Sequence, residues 1–277
     1  MAIITLARQV AALGDEVGAA LAEKLGYQFI TRKEIEKRIL DLGFDASKMP
    51  KYDERKPGFF ASLTKARDEY FNITRYAILE AAAQNNVVII GRGAFAMFDG
   101  VPNHITVRLV ADDNTRLERL EKEFDWNEKQ ARQRIQESDE NRNGFHKNFY
   151  NVDVDNPANF DMVLNTGKLC IENCCDVISG YLKSVITEEK ETAGVAQIKQ
   201  NLQAQTVVNK LVFEHKVKIE FLHAAIEETP EAKTFVLYGV TTSNAIVEQA
   251  LQVARKELPG YEVKSCVSIV SNYKNYQ

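Results

Sequence analysis

Three short stretches of this chain carry residues that could handle phosphate. The first is the loop Gln9-Val10-Ala11-Ala12-Leu13-Gly14-Asp15, set between a short apolar run and an amphipathic stretch. Strand–loop–helix units of this kind present the free N–H groups of a helix N-terminus to an anion. In phosphate loops, glycines let those amides converge and a lysine supplies charge. Here Gly14 is the loop's only glycine, lysine is missing, and Asp15 and Glu16 follow. Two carboxylates in a first turn also suit the helix dipole for their own sake. A plain β–α connection is thus the competing reading.

The second stretch is Gly91-Arg92-Gly93, directly after the β-branched run "VVII". Ligand-binding groups of open α/β sheets gather at strand C-termini. An arginine between two glycines there can fork onto a phosphate, or it can be a surface arginine in a tight turn. The third is "ARQRIQESDENR". On a helix, Arg134, Ser138 and Arg142 share one face, and Asp139 can hold Arg142 by an i,i+3 pair. Such charged runs are commonly solvated faces. The aromatic continuation "FHKNFYNVDVDNP" argues against that here.

These residues need a scaffold, and the chain supplies one. Strands are expected near 2–7, 87–90, 104–110 and 161–165, with "YQFI" as a further short strand. Amphipathic helices fall between them. One runs from about Gly14 to Leu25 and ends at Gly26, where a left-handed cap belongs. Another starts at Thr31 with Glu34 as a capping-box partner. Residues 44–60 read as an irregular insertion and 62–84 as a helix. Strands alternating with helices predict an α/β fold, a parallel sheet covered on both sides. After residue 187 a polar stretch marks a boundary, so the expected domains are 1–187 and a small α+β module at 188–277.

Composition narrows the function. The chain has 277 residues, 45% hydrophobic and 27% charged, which is enough for a real core. A net charge of −4 argues against non-specific nucleic-acid binding, and no window is apolar enough for a membrane span. The start "MAIITLARQ" does not read as a signal peptide, and a cytoplasmic location is expected. Cys170 and Cys174 can share a helix face, but no histidine lies nearby, so buried thiols and no metal site are expected.

Together the three stretches resemble the cytidylate kinase-like proteins, relatives of the bacterial cytidylate kinases among P-loop nucleoside monophosphate kinases. The resemblance runs from about Ile3 to Leu182 through "ITLARQVAALGDEV", "IIGRGA", "RLVADDNTRLERL" and "RIQESDENRNGFHKNFYNVDVDNPANFDMVLNTGKL". It implies a three-layer α/β/α kinase-like sheet, with ATP and Mg²⁺ at the first loop. Arg8, Ala11, Ala12, Leu13, Gly14, Asp15 and Glu16 would then line the cofactor site. Gly91, Arg92, Gly93 and Arg132 would meet the substrate's phosphate. Arg92, Arg134, Asp139 and Arg142 would serve transfer, the last three with Arg132 forming a lid segment. Family members often show I-T-I-S-R-Q-x-G-S-G-G-x-E-I; at G-S-G-G this chain has Ala11, Ala12, Leu13 and Gly14. Asp161, Asn165 and Thr166 match a strand that is mostly structural. The C-terminal "VLYGVTTSNAIVEQALQVARKELPGYEVKSCVSIV" more distantly resembles a BON domain.

Two functions follow as expectations. One is ATP-dependent phosphoryl transfer to a CMP-like nucleotide with a degenerate loop. The other is a non-catalytic regulatory protein that binds a nucleotide or phosphometabolite and is coupled to the C-terminal module. The partner in both is a phosphorylated small molecule, and a homo-oligomer is left open.

Overall fold

Alternate residues of the first strand, β1 (Ile3–Arg8), enter two different cores. Ile3 packs with Val87 and Ile89, whereas Ile4 and Leu6 pack with Val88 and Ile90. A period of two with both faces apolar is what a central parallel strand produces. The computed structural model describes residues 2–52, 65–229 and 231–270. Expectations for 53–60 and 62–64 lie outside the described residues.

β1 is the middle of a five-stranded parallel sheet with β2 (Gln28–Ile30), β3 (Val87–Ile90), β4 (His104–Val110) and β5 (Met162–Asn165), in the order β2-β3-β1-β4-β5. Helix α1 (Gly14–Leu25) covers one face with Val17 and Leu21, beside α7 (Ile171–Val185) with Cys174, Cys175 and Ile178. The other face is covered by α2 (Arg32–Asp41) and α3 (Lys65–Ala82), through Ile35, Ile39, Ile73 and Ile78. This is a three-layer α/β/α arrangement, as the sequence predicts. β1 sits where the strand order reverses, which is where open α/β sheets form their ligand crevice.

Local signals hold where they were strongest. Gly26 caps α1 at φ 67°, and Thr31 with Glu34 closes a reciprocal capping box on α2. Beyond β3 come a short helix α4 (Ala94–Met97), then α5 (Asp113–Phe124) and the long α6 (Glu128–Tyr150).

The polar stretch after residue 187 is a continuous helix, α8 (Glu188–Asn209). Its Ile198 enters the core under α3, while Ala204, Val207 and Val208 enter a separate core. The buried Gln205 side chain donates to Asn72 Oδ1 on α3 at 3.1 Å. That second core lies under a three-stranded sheet, β6 (Glu220–Glu228), β7 (Lys233–Thr241) and β8 (Glu262–Ile269), with α9 (Asn244–Glu257) packed on it. Ser243 caps α9, as its position before the helix suggests. No helix among the described residues is long and apolar enough to cross a membrane.

Candidate functional site

At the end of β1 the chain turns through Gln9–Leu13 into α1. Gln9 ties the turn to the end of β4: its N–H donates to Leu109 O at 3.1 Å, and its side-chain oxygen accepts from Ala111 N–H at 3.1 Å. Ala11 and Leu13 are left-handed, at φ 58° and 53°. For an L-residue that conformation costs about 1–2 kcal/mol. These are two of the three positions at which the G-S-G-G pattern has glycine; the third keeps it as Gly14. Alternation of handedness turns successive N–H groups into one concavity. Leu13 is also the N-cap of α1, and no side chain caps that helix. The amides of Ala11, Ala12, Gly14, Asp15 and Glu16 donate to no protein acceptor among the described residues.

The remaining loop residues frame this concavity. Ala12 is buried, and Asp15 and Glu16 are exposed. Arg8 is buried and crosses the loop so closely that a Cβ on Gly14 would stand 2.7 Å from its Cγ. On the carbonyl side, two arginines of α5 reach in. Arg116 Nε donates to Val10 O at 3.0 Å. Arg119 Nη1 donates to Ala11 O at 2.9 Å and to Thr166 Oγ1 at 3.1 Å, and its Nη2 donates to Thr166 O at 2.7 Å.

Gly91, Arg92 and Gly93 all take positive φ, at 85°, 55° and 71°. This turn carries Arg92 inward. Its guanidinium is 1% exposed, donates to Tyr52 O at 2.7 Å and Tyr70 Oη at 2.9 Å, and pairs with Glu36 on α2. Tyr150 Oη donates to the Arg92 carbonyl at 2.7 Å. A Cβ on Gly93 would collide with the Tyr150 ring. Arg92 therefore sits at the end of β3, as the sequence places it, with its guanidinium engaged by a carboxylate, a carbonyl and a phenol.

The α6 residues divide. Arg132 is exposed and bonds Glu128 on its own helix at 2.8 Å. Arg134 is half-buried and forms no ion pair or hydrogen bond among the described residues. Arg142 is buried and donates to Ser138 Oγ at 2.8 Å. Asp139 accepts two bonds from Arg116, at 2.8 and 2.9 Å. The i,i+3 reading of Asp139 missed this longer-range partner. The structure thus gathers the residues in two groups: Asp139 and Arg116 beside the loop, and Phe149 and Tyr150 against the Arg92 turn through ring contacts with Tyr70 and the carbonyl bond.

The profile of the cytidylate kinase-like family matches residues 3–168. The chain belongs to the cytidylate kinase-like family. It is 26% identical over 172 residues to a cytidylate kinase of Methanocaldococcus jannaschii, spanning 61% of this chain and 90% of that protein. Among solved structures it is similar to an uncharacterized protein of Eubacterium ventriosum, with a TM-score of 0.52, 19% identity, 66% of this chain and 99% of that one. A shikimate kinase of Bacteroides thetaiotaomicron gives a TM-score of 0.41 at 20% identity, over 66% of this chain and 98% of the other.

The sequence reading passed over three arginines. Arg116 and Arg119 belong to the "RLERL" block, and their three-residue spacing after β4 was the available signal. Arg75, on α3, forms no ion pair or hydrogen bond among the described residues, and burial pushes its pKa down while neighbouring Tyr150 offsets part of that. Cys174 and Cys175 are buried and Cys170 is exposed, its sulfur capping α7. No group of three or more His, Cys, Asp or Glu that could hold a metal ion occurs among the described residues. The open amides fit the phosphates of a nucleotide. The first turn of α1 offers no hydroxyl to a magnesium ion, so these residues do not fit an ion held as a P-loop Ser or Thr holds one.

Proposed function

We propose that this member of the cytidylate kinase-like family is a phosphotransferase of the nucleoside monophosphate kinase type. Its β1–α1 loop binds the phosphates of ATP, and a CMP-like nucleotide is the acceptor. The observation that carries this reading is the left-handed backbone at Ala11 and Leu13, which costs stability and leaves an uncapped row of amides. Strain of this kind persists where the surroundings enforce it, commonly at ligand clamps. Phosphoryl transfer asks mainly for positioning and charge neutralisation. The amides of Ala11, Ala12 and the first turn of α1 supply positioning. Positive charge comes from Arg8 beside Gly14. The cytidylate kinase relative supports the choice of acceptor. The missing lysine is expected to slow transfer by roughly a hundred- to a thousand-fold, on the scale of removing one transition-state donor.

A second reading rests on that missing lysine and on the engagement of Arg92 with Glu36. In it the protein binds a nucleotide or phosphometabolite without turnover and is coupled to the C-terminal α+β module. Calorimetric titration with ATP, with and without Mg²⁺, and with CMP and dCMP, run beside a phosphoryl-transfer assay, separates the two. ATP binding with steady CMP phosphorylation supports the kinase. Monophosphate binding without transfer supports the sensor. No phosphate-dependent binding at all removes both.

A further inference from the structure

Two arginines of α5 reach the loop from behind. Arg116 holds the carbonyl of Val10 at 3.0 Å, and Arg119 holds the carbonyl of Ala11 at 2.9 Å. A trans peptide is planar, so its C=O and the following N–H point in opposite directions. Fixing the Val10 carbonyl therefore fixes the Ala11 N–H, and fixing the Ala11 carbonyl fixes the Ala12 N–H, each turned away from α5. Those are the first two amides of the row that donates to no protein acceptor among the described residues. In a glycine loop the residue type makes this curl cheap. Here Ala11 and Leu13 must be held in it.

We propose that Arg116 and Arg119 are positioning residues of the anion-binding loop: they replace the lost glycines as the device that keeps the loop's amides turned toward a phosphate. The role rests on the phosphate-binding reading of the loop given above. Both side chains are built for it. Arg116 is held in turn by Asp139 on α6 through two bonds and by Asp113 at 3.2 Å. Arg119 is held by both oxygens of Thr166 at the end of β5. The loop is thereby referenced to α5, α6 and the sheet, rather than to its own sequence. Neither arginine needs to touch the anion; the charge of Arg116 is already met by carboxylates.

Arg119 gives the cleaner test, because Arg116 also anchors α6. Arg119→Lys keeps the charge and loses the fork that joins Ala11 to Thr166; Arg119→Gln loses both. Two readouts are taken on the full chain: the ¹H–¹⁵N signals of Ala11 and Ala12 without ligand, with Gly26 as a remote reference, and the affinity for inorganic tripolyphosphate. The expected result is that both variants move the Ala11 and Ala12 signals, leave Gly26 in place, and weaken tripolyphosphate binding by roughly tenfold, the scale of a lost hydrogen bond to a charged group. Unmoved amide signals overturn the proposal. So does wild-type affinity in Arg119→Lys with loss only in Arg119→Gln, since that pattern marks direct charge contact. If the wild type binds no tripolyphosphate while the signals move, the phosphate reading of the loop fails, and the arginine contact is structural only.

Discussion

The guanidinium of Arg116, 1% exposed, meets both carboxylate oxygens of Asp139 and so ties α5 to α6 behind the β1–α1 loop. A buried cation that loses its partner is left uncompensated, and that loss costs more than the pair's net contribution. Asp139 is 31% exposed, which softens the effect. Asp139→Asn is expected to lower stability by about 1–3 kcal/mol. Asp113→Asn is the control: that carboxylate is 72% exposed and its loss should go undetected. Urea unfolding of both variants checks the contrast, and equal effects would refute the buried link.

Arg92 makes a second prediction. Its guanidinium bonds Glu36, Tyr52 and Tyr70 among the described residues, joining the end of β3 to α2 and α3. Arg92→Ala removes the buried partner of Glu36, which keeps its 3.2 Å pair with Arg32, and opens a cavity; it is expected to destabilise the fold by about 2–5 kcal/mol. Glu36→Gln keeps a bond acceptor at the same place and should cost less. Thermal unfolding distinguishes this from a purely ligand-binding arginine, whose removal would leave the melting temperature of the free protein unchanged.

The strands were legible because β-branched apolar runs such as "VVII" mean burial on both faces whatever their partners. Caps were legible too, since Thr31 with Glu34, and Gly26, act within a few residues of themselves. The length of α8 was not. Its apolar residues Ile198, Ala204, Val207 and Val208 serve two cores, so no single stripe announces a helix. The loop was harder still. Glycine is the sequence signal for left-handed backbone, and Ala11 and Leu13 adopt it without that signal; the arginines that bond the Val10 and Ala11 carbonyls come from about a hundred residues away. The direction in which Arg92 points is decided by Glu36, Tyr52 and Tyr70, which only the fold brings near.

His104 provides a pH prediction. It is half-buried at the start of β4, with Nε2 bonded to Thr5 Oγ1 at 2.7 Å and Nδ1 to Phe98 O at 3.1 Å. Burial pushes its pKa down from 6.5 to about 4. The unfolded chain therefore binds this proton at higher pH than the folded chain does. The contribution is complete above about pH 6.5 and is lost progressively as the pH falls toward 4. The full span is on the order of 3 kcal/mol. Stability measured by urea unfolding between pH 7 and 4.5 should fall in the wild type and fall less in His104→Gln. An equally steep loss in the variant would assign the pH dependence to carboxylates instead.

Asp15 and Glu16 stand exposed in the first turn of α1, at the donor end of the helix. Their charges act in opposite directions on two measurable quantities. They complement the helix dipole, so they favour the folded chain. They also repel a polyphosphate approaching the amides of Ala11 to Gly14. In the double variant Asp15→Asn, Glu16→Gln, the affinity for tripolyphosphate is expected to rise by roughly three- to tenfold at low salt, the scale of one or two exposed charge interactions. Stability should drop slightly in the same variant. Both effects involve solvent-exposed charges, so the affinity gain should shrink as ionic strength rises and the Debye length falls to about 3 Å near 1 M. Titrations at low and high salt, paired with thermal unfolding, test the two signs together. An affinity that falls in the variant would mean that the carboxylates recruit a cation which then binds the phosphate, and that the loop's amides are not the main contact.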